Sequence, residues 1–388
     1  MAAVDRATPA TIRTGNKNLA DHKELHSERG ALPGEHPGRS TNPTTKVTGL
    51  AWLEFEKADL DRSERFALDF GLTVHARTDN ALYLRGAREG TPCVVIRRGP
   101  ASRFLGPTFQ AAEAKDLERL ARAAGGTVEH RHELGSGRAL RLTDPSGFGV
   151  QVVHGVEELS PLPTQSPLTW NVAGRASRVN AVQRPPAQPA TVERLGHVVL
   201  GSRVFGRALD WYLGHLGLIV SDFLYLTGQR ERGPVMAFIR CDRGSVPTDH
   251  HTLAMLLSPE PGYVHSAYEV ADLDALAAGG EYLKARGHQR SWGIGRHIQG
   301  SQVFDYWRDP DRVMVEHYAD GDLFDADLEP GWAALSAGGL RQWGPRPTRD
   351  FLGTTPSPRL VRQAFQALRE DNEIDLARLG ALVAAMTS

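Results

Sequence analysis

Two histidines and a glutamate offer the chemistry that stands out in this chain. They are His197 in Leu195-Gly-His197-Val-Val-Leu, His265 in His265-Ser-Ala-Tyr-Glu-Val and Glu316 in Val313-Met-Val-Glu316-His-Tyr. Each sits in a strand-like run. Converging from separate strands, two neutral imidazoles and a carboxylate would hold one face of a metal ion and leave the opposite face open. That donor set suits Fe(II) bound for work with dioxygen. Taken singly, each residue reads better as an unrelated polar group on a half-buried strand. The expectation of a metal site rests on the three together and on their surroundings.

The elements that must position them are legible in outline. The chain of 388 residues is long enough for two or more domains with sizeable cores. Its 40% hydrophobic and 23% charged residues describe an ordinary globular protein. A formal net charge of −1 argues against nucleic acid or a membrane surface as the main partner. Cys93 and Cys241 stand far apart and outside metal-ligand spacing, so neither a disulfide framework nor a thiolate site is expected. No apolar run approaches a membrane span, and Met1-Ala-Ala-Val-Asp lacks the regions of a signal peptide. A cytoplasmic location is therefore expected.

Residues 1–44 are polar with scattered Gly and Pro and read as an extended or disordered arm. A first domain is expected over 45–157, without metal ligands. A linker over 158–192 contains Pro185-Pro-Ala-Gln-Pro189. A metal-binding domain over 193–323 follows, then an extension over 324–388 with a helix predicted at 358–386. Across both domains one pattern recurs four times: strand, amphipathic helix, then two or three strands. The helices are expected at 58–70, 114–124, 204–216 and 272–286. The fold class is thus α+β, with paired βαβββ modules making two cupped, mostly antiparallel sheets backed by helices. Overlaying the halves sets Gly196-His197 on Gly49-Leu50, Asp309-Pro-Asp-Arg on Asp144-Pro-Ser-Gly, and His265 near Gly106. The first half then carries Leu50, Gly106 and Gln151 where the second carries the two histidines and the glutamate. One working site and one structural copy are expected.

This arrangement resembles the vicinal oxygen chelate superfamily (the glyoxalase-dioxygenase fold), and the second half resembles its type I extradiol, catechol 2,3-dioxygenase-like ring-cleaving enzymes. The likeness is carried by Leu195-Gly-His197, Asp249-His-His251-Thr-Leu-Ala, His265-Ser-Ala-Tyr-Glu-Val, Gly293-Ile-Gly-Arg-His297 and Phe304-Asp-Tyr306-Trp-Arg-Asp-Pro-Asp-Arg-Val-Met-Val-Glu316. One departure is Arg312, standing where the turn usually has glycine; a left-handed conformation there costs more, and the arginine is free to reach a neighbour.

The resemblance implies Fe(II), with Mn(II) as a substitute, on His197, His265 and Glu316. It also implies a small aromatic diol and O2 as reactants, aromatic compound catabolism as the setting, and a homo-oligomer. Holding both reactants on one metal is catalysis by proximity. His251 looks like the acid/base histidine, apt because imidazole titrates near working pH. Its neighbour His250 leaves an ambiguity, since consecutive strand residues face opposite sides. Tyr306 is implied to hydrogen-bond a substrate oxygen, and His297 to reach the deprotonated hydroxyl. Their plain readings are a core tyrosine and a solvated loop histidine. Arg308 and Asp309 read as turn stabilisers. The run from Phe304 to Pro310 is similar to enzymes acting on trihydroxylated rings. Two other readings share the scaffold: a 4-hydroxyphenylpyruvate dioxygenase type, which does not need His251, His297 and Tyr306, and a non-catalytic aromatic-binding protein, which needs none of the six.

Overall fold

The structure, a computed structural model, describes residues 27–131, 133 and 137–387. Two mixed sheets dominate it. The first has eight strands, and Val47–Lys57 lies at its centre between Val94–Arg98 (parallel) and Arg103–Ala111 (antiparallel). The second has ten strands, and at its heart Arg194–Ser202, Gly262–Glu269 and Met314–Ala319 run side by side. Helices α1 (Leu60–Asp69), α2 (Ala114–Ala124), α3 (Phe205–Leu216) and α4 (Leu273–Ala285) occupy one position in each module.

Local sequence explains these helices. The Asp59 and Asp272 carboxylates accept from the backbone N–H of Arg62 and Ala275, capping α1 and α4, while Glu113 and Asp116 form a capping box on α2. Helix α3 stops at Gly217, whose φ of 64° is the left-handed turn glycine tolerates. It buries Phe205, Ala208, Leu209, Tyr212, Leu213 and Leu216, a helical stripe. Each large side chain there contributes about 1.5–3 kcal/mol.

The domains share one core. Phe70 stacks on His317 at 3.8 Å and meets Tyr268 edge-on at 5.6 Å, while Phe55 meets Tyr263 at 5.3 Å. At its edge Lys57 of the first domain pairs with Asp309 in the turn of the second, and both side chains are almost fully buried. Asp309 also accepts from the backbone N–H of Asp311 and Val313 with its other oxygen. Lys57→Ala leaves that carboxylate without its cation and should cost about 3 kcal/mol of unfolding free energy, measurable in urea.

Strand register corrects one detail of the repeat. Leu53 pairs with Val94 as Val198 pairs with Leu253, and Trp52 pairs with Thr108 as His197 pairs with Ala267. The residue matching His197 is therefore Trp52, not Leu50. Thr108 faces Gln151 as Ala267 faces Glu316, so Gln151 and Gly106 keep their expected places. A β-bulge between Leu50 and Trp52 turns them to opposite faces, and an alternation that assumes an unbroken period of two misses it. In the first cup the Arg131 guanidinium lies 4.5 Å over the Trp52 ring and donates to Gln151 at 2.9 Å.

Three further differences concern the ends. Residues 1–26 of the expected arm lie outside the described residues, but 27–44 are packed down, with Glu28–Arg29 adding a strand beside Gly331–Ala334. That second strand lies beyond the boundary expected at 323 and pairs in parallel with Leu218–Tyr225, so the extension completes the second sheet. The single helix predicted at 358–386 is two: α5 (Pro358–Ala367) and α6 (Leu376–Thr387). Asn372 breaks it by turning its side-chain amide back onto the Ala367 carbonyl at 2.7 Å.

Candidate metal centre

The three adjacent strands bring His197, His265 and Glu316 to one spot. Glu316 Oε2 lies 3.4 Å from His197 Nε2 and 3.4 Å from His265 Nε2. One ligand atom from each residue falls within 4.8 Å of the others. Cis ligands about 2.1 Å from an octahedral cation stand roughly 3 Å apart, so this spacing fits one face of such an ion. Alternation decides which residues point inward: Glu316 enters the cup, while His317 turns to the domain interface and donates to the Phe70 carbonyl at 2.7 Å.

The donor set is unfinished without a cation. Glu316 is 0% exposed, and neither of its carboxylate oxygens has a hydrogen-bond partner among the described residues. A buried charge in that state costs several kcal/mol unless something neutralises it. Burial would raise the Glu316 pKa, but the adjacent His197 and His265 outweigh it and hold the carboxyl well below its usual range. Burial lowers the His265 pKa, opposed by Glu316. A neutral imidazole and an ionised carboxylate are the forms a divalent metal binds.

The other predicted residues ring the same cup. Tyr306 stands directly across the strand pair from Glu316. The His297 Nδ1–H donates to the Leu340 carbonyl at 2.7 Å, which leaves Nε2 to accept from the Tyr306 hydroxyl at 2.8 Å. Burial pushes His297 down to about 4 and Tyr306 well above its ordinary value. The His251 ring lies 3.9 Å from that of His197. Burial, then the proximity of His197 and His250, holds its pKa well below normal, so it is neutral at pH 7. His250 is buried behind it and faces Asp222. Arg308 and Asp309 stay in the turn: Arg308 donates to the Arg312 carbonyl, and Asp309 caps the backbone as described.

Some contributors are not readable in the sequence. Residues 338–353 have no periodic pattern, yet they close over the site. Phe351 packs 4.8 Å from Tyr306 and 4.4 Å from Trp292, whose indole N–H donates to the Pro345 carbonyl. Asp350 anchors this segment by accepting from Ser291, Arg308 and Arg312. Arg312 adopts φ 70° and so reaches a neighbour from the strained turn position. Asp350→Ala should release the segment: proteolysis within 338–353 speeds up and KM for an aromatic substrate rises severalfold, with metal content unchanged. Asp222 did carry a signal, being the one charge inside the apolar run Leu218–Tyr225.

Comparison with known proteins agrees with the fold. Residues 194–317, which hold the complete triad, match the Glyoxalase/Bleomycin resistance protein/Dioxygenase superfamily. Metapyrocatechase 2 of Cupriavidus necator is 31% identical over 337 residues, covering 86% of this chain and 98% of that protein. The fold is shared with the extradiol ring-cleaving dioxygenase of Brevibacterium fuscum, at TM-score 0.66 and 21% identity over 82% of this chain and 84% of that one. It is shared also with a Mn(II)-bound glyoxalase of Novosphingobium aromaticivorans, at TM-score 0.65 and 22% identity over 81% and 95%. The chain belongs to the vicinal oxygen chelate superfamily, as one of its extradiol ring-cleaving dioxygenases.

Proposed function

We propose that this protein holds Fe(II) on His197, His265 and Glu316 and opens the ring of a catechol-type diol with dioxygen, cutting beside the paired hydroxyls. The observation carrying this reading is the unpartnered Glu316 carboxylate set between two imidazole Nε2 atoms, with His251, His297 and Tyr306 around the same cup. When bound, the metal would bring diol and dioxygen together and pass electron density between them. The chain's own groups handle protons and fit. His251, neutral and buried, accepts a proton from the diol and returns it later. The Tyr306 oxygen, whose hydrogen goes to His297 Nε2, is placed to accept a hydrogen bond from a substrate hydroxyl. Phe351, half-buried 4.8 Å from Tyr306, gives apolar surface for an aromatic ring. The protein further acts as a homo-oligomer, in keeping with the exposed Val361 and Phe365 on α5.

The test is anaerobic reconstitution with Fe(II) or Mn(II), followed by air and a panel of catechol, a trihydroxybenzene and 4-hydroxyphenylpyruvate. Oxygen uptake with a yellow ring-opened product from a diol, greater with iron, supports the proposal. Turnover of 4-hydroxyphenylpyruvate alone rejects it, and tight binding of intact aromatics without uptake points to a binding protein.

A further inference from the structure

Behind His251 the fold buries a carboxylate and a second imidazole in line. Asp222 is 3% exposed, and its Oδ2 lies 2.7 Å from His250 Nε2. His250 is 1% exposed, and its Nδ1 lies 3.0 Å from His251 Nδ1, with the two rings perpendicular. The His250 backbone is fixed at both ends: its N–H donates to the Asp322 carbonyl, and its own carbonyl accepts from the Ser221 hydroxyl at 2.6 Å. Phe238 and Phe324 flank its ring, each 5.4 Å away. Gly300 leaves it room, since a Cβ there would stand 3.0 Å from Nδ1. The Arg29 guanidinium of the N-terminal segment sits 3.8 Å from the other Asp222 oxygen.

With His250 neutral, this order of groups fixes where the protons sit. An ionised carboxylate only accepts, so the His250 Nε2 carries the hydrogen. In a neutral His250 the Nδ1 is then bare. The 3.0 Å contact needs one proton, and His251 Nδ1–H must supply it. His251 Nε2, which hydrogen-bonds to no described residue, is left without a hydrogen. A free imidazole side chain favours the opposite tautomer, so the protein imposes this one. Resting on the acid/base reading of His251, we propose that Asp222 and His250 are positioning residues. They lock His251 in its Nδ1–H form, with Nε2 ready as the proton acceptor beside His197. Asp222 and His250 touch no substrate themselves and act through His251.

The tautomer is read directly by long-range 1H–15N correlation on the metal-free full chain labelled with 15N-histidine at neutral pH. The expected wild-type signature is a protonated Nδ1 and bare Nε2 at His251. H250F removes the acceptor and should move His251 to the Nε2–H form, whereas H250N keeps an amide oxygen near that place and should retain the native signature. With iron bound, H250F should lower kcat about tenfold to a hundredfold, as losses of such orienting partners do, with little change in KM, and H250N should restore much of it. A wild-type His251 carrying its hydrogen on Nε2, or an H250F spectrum unchanged from wild type, overturns the proposal. The wild-type spectrum decides this even if H250F does not fold. It involves neither metal nor substrate, so it stands apart from the ring-opening reading, which fails separately if iron-loaded wild type opens no diol.

Discussion

Glu316→Ala should remove metal binding and ring opening together. The carboxylate is the only anionic ligand, lies between both imidazoles and is shielded from water. Without it two neutral histidines face a dication in a low-dielectric cup, with nothing to offset the charge. Groups that merely orient a ligand cost tenfold to a hundredfold in affinity when removed, and a ligand itself should cost more than about a hundredfold. At free Fe(II) a hundred times its Kd, wild type gains about 2.7 kcal/mol of stability from binding, and the variant should gain none. Thermal melts with and without Fe(II), beside metal analysis of the dialysed protein, read this outcome. The metal-free variant should melt no lower than metal-free wild type, because the substitution also removes an unsatisfied buried charge.

His251→Asn should leave the metal in place and take the chemistry away. His251 lies against His197, but its Nδ1 is engaged by His250, and it falls outside the converging ligand atoms. Loss of a positioned general acid/base typically costs about a hundredfold to ten-thousandfold, and the fall should appear in kcat. KM and iron content should change little. Steady-state kinetics with metal analysis on the same preparation separate this from a ligand role, which would lose iron as well.

How much of this was legible in the sequence depends on the kind of interaction. Local periodicity and caps reveal the four module helices, because Asp59 and Asp272 precede apolar stripes and act within one turn. The candidate ligand positions were visible because polar residues in apolar strands are costly without a task, and four such residues in the second half, with His251 and His297 from loops, sit around one cup. Register was beyond reach: a bulge separates Leu50 from Trp52, and only the strand pairing reveals it. Long-range closure was also beyond reach. Residues 338–353 carry the carbonyl that orients His297 and the ring that covers Tyr306, yet they show no repeat of 2 or 3.6 residues. The ambiguity between His250 and His251 had a sequence clue in Asp222, but only the 2.7 Å contact shows which histidine it holds.

One metal should bind, in the second cup alone. An anomalous difference map at the iron edge, from crystals of the Fe(II)-loaded protein grown without oxygen, tests it most directly. The expected result is a single peak within bonding distance of His197 Nε2, His265 Nε2 and Glu316 Oε2, with no peak beside Trp52 and Gln151. A peak in the first cup, a peak held by Asp222 and His250, or none at the triad would contradict it.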